Sequence, residues 1–406
     1  MENSNTPPYA GQMVLHLGAN KTGSTALQNM LYNNKTLLRD YGIHYRDSKV
    51  RNPVVQSGNG EILCNLITQG GSKNEIKRTL LHFYNPERLS IVSSEMFVNL
   101  TKQQWNLLFE CFAELELQVK LLVFVRSPLD FYVSNYNQAI KRHGEFSDLE
   151  TYIQKSGWLH FQLLQNLNET NINAEIKVVP FESIKFDLIQ SFWKCIFEMS
   201  GVDVRGLIAE DQILSNRSLY EEEIQMMRRI NAIFSTKESV LVSKFLVEDS
   251  NFTGTKMVVP RTAAKMVFDK HKHDVLWINN TFFSSENVLS IDYESYPIDD
   301  LIFPLETYPD SAMLVQLILY LLRNPRDEVQ KSLPKKVDDF ISNFDATRYE
   351  ERMPDGSLFD NVYYLVKNPD VMSSGISPLE HFNNWGRDEG RIWRTRDLSH
   401  LDLGSE

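Results

Sequence analysis

The stretch Met13 to Leu31, MVLHLGANKTGSTALQNML, most constrains what this chain can fold into. A short apolar run breaks at Gly18 into a turn rich in glycine and hydroxyl residues, then resumes with helical spacing. That order predicts a strand, a phosphate-cradling loop and the start of a helix reaching about Arg39, with Leu27, Met30, Leu31 and Leu38 on its apolar side. The N–H groups from Lys21 to Thr25 are expected to face the mouth of the turn, where a helix N-terminus favours an anion, and Lys21 adds a full charge. A Walker A loop places Gly-Lys-Ser/Thr after four residues, whereas this lysine follows Gly18 by three and precedes Thr22-Gly23. The loop therefore points to a phosphate group without ordinary ATP chemistry.

Further strands are expected at Leu89 to Ser93, which delivers Ser94 and Glu95 at its end, at Leu121 to Arg126, and at Ile176 to Val179. LLVFVR is a continuous apolar run that stops on an arginine, as suits a central parallel strand covered on both faces. Helical patterns intervene, at Thr101 to Leu117 with Thr101 as N-cap, at Asp130 to Lys141, and from Glu182 through Met199. This alternation predicts an α/β fold with a P-loop-like, doubly wound parallel sheet flanked by helices. Ligands in such sheets bind beyond the carboxyl ends of the strands, so Gly18 to Thr25, Glu95 and Arg126 are gathered into one crevice. The residues from Gly42 to Gly71 read as an irregular surface loop.

At 406 residues the chain exceeds a single core, and two or three domains are expected. A net charge of −11 argues against a general nucleic-acid or anionic-membrane binder, so any anion site is local. Cys64, Cys111 and Cys195 are odd in number and set among apolar neighbours, which reads as buried reduced thiols. The first residues offer no signal core, and Met313 to Leu322 is too short to span a bilayer, so a cytoplasmic protein with no integral membrane segment is expected.

Arg126 ends a strand and Ser134 follows eight residues on, where the second turn of a helix begun at Pro128 could carry it back over the strand end. A bidentate arginine with a serine donor suits a second phosphate; a structural arginine–carboxylate pair beside a surface serine is the other reading. Taken together, GANKTGSTAL at Gly18 to Leu27 and RSPLDFYVSNY at Arg126 to Tyr136 resemble the two nucleotide motifs of sulfotransferases. That family uses 3′-phosphoadenosine 5′-phosphosulfate (PAPS) as donor and releases 3′-phosphoadenosine 5′-phosphate (PAP). VVPFESI at Val178 to Ile184 and NRSL at Asn216 to Leu219 look like bacterial members of it.

The resemblance implies that Gly18, Lys21, Thr22, Gly23, Ser24 and Thr25 hold the 5′-phosphosulfate and that Arg126 and Ser134 hold the 3′-phosphate. Lys21 would also stabilise the leaving group, and no metal is expected. Carbohydrate-modifying members often place a glutamate at the end of the second core strand, which makes Glu95 the expected base and His143 the runner-up. His16 reads as a core histidine, and His271 with His273 as a solvated basic patch rather than a metal site. The implied partners are a nucleotide donor and a carbohydrate or other hydroxyl or amine acceptor. A P-loop nucleotide kinase and a non-catalytic glycan-binding protein are the alternatives.

The expected domains are a sulfotransferase-like core over 12–300, a helical linker region over 301–343 and a small, mostly helical module over 344–396. The tail repeats Phe344-Asp345, Tyr349 and Pro354-Asp355 as Phe359-Asp360, Tyr364 and Pro369-Asp370. Residues Phe359 to Arg391 also resemble a short module appended to bacterial glycosyltransferases, in which His381 reads as structural.

Overall fold

The computed structural model describes residues 9–47, 58–170, 174–204, 217–233, 236–244, 246–247, 254–283 and 288–298. In the tail it describes 350–353, 358–361, 364–365, 368, 370–371, 376–391 and 393. The expected linker, the Met313 to Leu322 helix, Asn216 and most of the tail repeat lie outside the described residues.

Five parallel strands form one sheet: β1 (Gln12–His16), β2 (Ile43–His44), β3 (Leu89–Ser93), β4 (Gln118–Val125) and β5 (Glu175–Pro180). Their spatial order is β2-β3-β1-β4-β5. The chain runs from β1 to the edge strand β2, returns inward to β3 beside β1, then crosses β1 to build outward as β4 and β5. The reversal falls at β1, and the carboxyl ends of β3, β1 and β4 lie side by side there, roughly 4.8 Å from one strand to the next. Register aligns His16 with Ser93 on one side and with Leu122 on the other.

Both faces of the sheet are covered, as the apolar runs require. On one face Val14, Ile91, Leu122 and Phe124 pack with Leu27, Met30 and Leu31 of α1 (Ser24–Asn33) and with Phe192 and Trp193 of α9 (Leu188–Ser200). Leu15, Val92, Leu121 and Val123 are equally buried and alternate with that set, so they face the other layer. There α3 (Glu61–Thr68), α4 (Lys73–Phe83), α5 (Lys102–Glu114) and α8 (Leu159–Glu169) pack in succession. Thr101 caps α5 in a capping box with Gln104, as the sequence indicates.

Two segments differ from the sequence reading. The first helix breaks at Asn34 and continues as α2 (Lys35–Asp40). The expected loop from Gly42 to Gly71 contains β2 and α3, whose Leu63, Cys64 and Ile67 are buried. The region after residue 235 holds α11 (Thr236–Lys244) and the long α12 (Arg261–Phe282). The other helices are α6 (Pro128–His143), α7 (Leu149–Lys155) and α10 (Glu221–Ile233). All three cysteines are buried and free.

The chain divides into two compact units, Met1–Asn135 with Glu150–Ser215 and Arg261–Tyr296, and Tyr136–Leu149 with Asn216–Pro260 and Pro297–Glu406. The first unit holds the whole five-stranded sheet. In the second, Arg217 donates both ends of its fork to the fully buried Glu223 at 2.7 Å, which leaves Arg217 a structural role. The tail pairs β6 (Glu350–Arg352) with β7 (Leu358–Asp360) in an antiparallel ribbon, beside the short α13 (Pro378–His381). Its landmark residues bind one another: Tyr364 Oη lies 3.0 Å from His381 Nδ1, and Arg391 grips the Asp370 carboxylate at 2.7 Å through both terminal nitrogens.

Candidate functional site

The loop after β1 is wound tightly. Gly18, Ala19, Lys21 and Gly23 all have positive φ, and the Ala19 N–H donates back to Leu17 O at 2.7 Å across a γ-turn centred on Gly18. Only glycine fits at Gly18, because a Cβ there would lie 2.9 Å from Glu95 Cα. Ala19 and Lys21 hold a left-handed backbone without glycine's freedom, a local strain of about 1–2 kcal/mol each.

What holds the loop is the capture of its carbonyls. The buried Thr22 hydroxyl is shared between Gly18 O and Ala19 O, and the Ser24 hydroxyl donates to Ala19 O at 3.3 Å. His160 Nε2 donates to Asn20 O at 2.8 Å, and Arg126 Nη1 donates to Lys21 O at 3.1 Å. A trans peptide sets its N–H opposite its C=O, so the amides of Asn20, Lys21 and Thr22 are directed away from those anchoring groups. Beyond them α1 starts at Ser24 with no side-chain cap and no acidic residue in its first turn, leaving its positive end uncompensated. The loop thus presents donors on one side and buries acceptors on the other, the arrangement an anion requires.

Arg126 stands at the carboxyl end of β4, half-buried, with its guanidinium 5.5 Å from the centre of the Phe181 ring. Its Nε lies 4.0 Å from Glu182 Oε1, too far for a hydrogen bond, and has no hydrogen-bond partner among the described residues. Glu182 Oε1 instead accepts the Ser127 N–H at 3.1 Å. Burial lowers the Arg126 pKa and raises that of Glu182, while nearby Asp130 and Glu182 favour the charged arginine. Of the five donors of the guanidinium, one is committed to Lys21 O.

Glu95 opens a 3₁₀ turn directly after Ser94, whose hydroxyl accepts the Met96 N–H at 3.1 Å. Burial raises the Glu95 pKa, the Lys21 charge draws it back, and Glu61 pushes it up again. Glu95 is thereby a half-buried carboxylate electrostatically coupled to the loop lysine.

The structure brings Gly18 to Ser24, Glu95 and Arg126 to the ends of three adjacent strands. Thr25 is exposed on the first turn of α1. Ser134 is half-buried on the second turn of α6, and no hydrogen bond joins it to Arg126 among the described residues. His143 is the exposed last residue of α6 and belongs to the other unit. His16 is fully buried in β1 with Nδ1 2.9 Å from Ser93 Oγ, and burial lowers its pKa to about 3. The solvated His271–His273 patch is half corrected: His273 is exposed, but His271 is buried between Tyr132 Oη at 3.0 Å and Asp274 Oδ2 at 2.7 Å.

Sequence reasoning missed His160. Its Nδ1 accepts the Arg126 N–H at 2.9 Å, so its proton resides on Nε2, which donates to Asn20 O. The ring fixes the loop to the end of β4, and burial holds its pKa down at about 4. A lone histidine in the apolar WLHFQLL gives no local sign of partners so distant in sequence.

No family model and no curated protein matches the chain. Among solved structures, a sulfotransferase from Alicyclobacillus acidocaldarius is similar at 15% identity, over 60% of this chain and 96% of that one, with a TM-score of 0.32. Mouse sulfotransferase SULT7A1 complexed with PAP is 14% identical over 83% and 87% of the two chains, at a TM-score of 0.29. Retinol dehydratase in complex with androsterone and inactive cofactor PAP is 13% identical over 70% and 85%, at 0.31. At TM-scores this low the likeness carries no functional argument, which rests instead on the residues above.

Proposed function

We propose that this chain is a PAPS-dependent sulfotransferase of a bacterial cytoplasm that transfers a sulfuryl group to a hydroxyl or amine, with a carbohydrate as acceptor. The observation that carries the reading is the joining of the loop after β1 to Arg126 at the end of β4, through Arg126 Nη1 to Lys21 O at 3.1 Å. It ties the Arg126 guanidinium to the main chain of Lys21, which supports a single strand-end crevice with one cationic residue for each phosphate-type end of the donor. PAPS supplies the activated sulfuryl group.

The loop amides, the α1 N-terminus and Lys21 hold the 5′-phosphosulfate, with Gly18, Gly23, Ser24 and Thr25 shaping that cradle and the Thr22 hydroxyl bracing it from behind. Arg126 holds the 3′-phosphate, with Ser134 completing that contact. As the acceptor oxygen bonds to sulfur and the bond from sulfur to the bridging phosphate oxygen breaks, Glu95 takes the acceptor proton and Lys21 neutralises the charge left on the nucleotide. No metal is assigned a role. Residues 344–396 form an accessory module with a glycan-related docking role, joined by 301–343 to the catalytic region 12–300.

Transfer of labelled sulfate from PAPS to a panel of sugars, lipids and phenols tests the reading. The wild type is expected to label at least one acceptor class without added metal. Lys21→Ala is expected to slow transfer about 10²–10³-fold, as loss of a group at the developing charge does elsewhere. Transfer at the wild-type rate by both Lys21→Ala and Arg126→Ala would refute it.

A further inference from the structure

Beside the edge strand β2 lies a cleft of about 360 Å³ whose lining includes Lys35, Arg39, His44, Arg46, Asp47 and Arg88. It draws four cationic side chains and one carboxylate from α2, from the end of β2 and from the turn before β3. Asp47 is matched by Lys35 at 2.5 Å, and Arg46 donates Nη1 to His82 O at 3.0 Å. Arg39 and Arg88 have neither a side-chain hydrogen bond nor an ion pair among the described residues. In a chain of net charge −11 such a cluster is a strong local reversal of sign. Burial first, and then the charges of Arg46, Arg88 and Arg39, lower the pKa of His44 in the same cleft.

We propose that this cleft is a binding site for an oligoanion, a small ligand carrying two or more carboxylate or phosphate groups. A single anionic group satisfies one arginine fork, whereas Arg39 and Arg88 approach from different elements and each offers a bidentate donor set. The site is separate from the strand-end loop, and its ligand is recognised by charge spacing rather than by a nucleotide contact. The Asn59 amide ties its floor to the central strands, donating to Arg46 O at 3.0 Å and Ile91 O at 3.1 Å and accepting the Ser93 N–H at 2.8 Å.

Calorimetric titration of the full chain with tripolyphosphate and with trigalacturonate, against sulfate and acetate, tests this. Binding of at least one oligoanion, over tenfold tighter than the monoanions and weakened by salt, is the expected result. Arg39→Gln with Arg88→Gln is expected to weaken it at least about tenfold per arginine lost. The paired lysine variant, which keeps charge but loses the forks, falls between. The two oligoanions distinguish phosphate from carboxylate as the source of charge. Absence of oligoanion binding, equal affinity for monoanions, or unchanged binding by the correctly folded glutamine variant would overturn the proposal. Failure of the wild type to bind PAP would count against the transferase reading and leave the cleft result standing.

Discussion

Glu95 and His160 are ionisable groups at the strand ends with opposite assignments. Glu95 must lose its proton to act as base, and its pKa is raised by burial against the pull of Lys21. The acid limb of kcat/KM is therefore expected above the ordinary glutamate range, with activity rising as pH rises through it. Glu95→Gln should abolish the limb and most of the turnover, whereas Lys21→Ala, which removes the charge that draws the Glu95 pKa down, should move the limb still higher. An unchanged pH profile in Glu95→Gln would remove it as the base.

His160 works neutral. Its pKa of about 4 lies below the usual histidine value, so its contribution to stability is complete above pH ~6.5 and is lost as pH falls towards 4. Glutamine can both accept from Arg126 N–H and donate to Asn20 O, so His160→Gln should keep PAP affinity. The same variant should flatten the stability slope by about one proton, ~1.4 kcal/mol per pH unit, between pH 6 and 4. His160→Ala leaves both backbone groups unpaired, at a cost of about 2–3 kcal/mol, and should also weaken PAP binding. Urea unfolding across pH, paired with calorimetry, separates the two effects.

At the level of elements, α1 owes its position to Gly23. That residue is the left-handed N-cap, and a Cβ there would lie 2.3 Å from the Leu188 side chain of α9. Gly23→Ala should lower stability by roughly 1–3 kcal/mol, with part of the loss recovered when Leu188→Ala is added, as thermal melts would show. The central strands and the loop were legible in sequence because each strand is a buried apolar run ending in a polar residue, and β1 leads into an unmistakable glycine turn. The two-residue β2 and the eight-residue α3 were not, since elements that short show neither period clearly. Of the candidate site, Lys21, Glu95 and Arg126 followed from strand ends. His160 did not, because its role lies in bonds to Asn20 and Arg126, segments 140 and 34 residues away.

For the whole molecule, the strand order accounts for how the proposed anion site arises in a net acidic chain. The reversal at β1 brings the ends of β3, β1 and β4 together, so the cationic groups converge whatever the average charge. The central claim is that this convergence forms a two-ended nucleotide clamp, and the most direct measurement is calorimetry of PAP against adenosine 5′-phosphate, without magnesium. The account predicts that the wild type prefers PAP by at least about tenfold and that Arg126→Ala loses that preference while still binding the 5′-phosphate. Equal affinity for the two nucleotides, or binding only of ATP with magnesium, would contradict it.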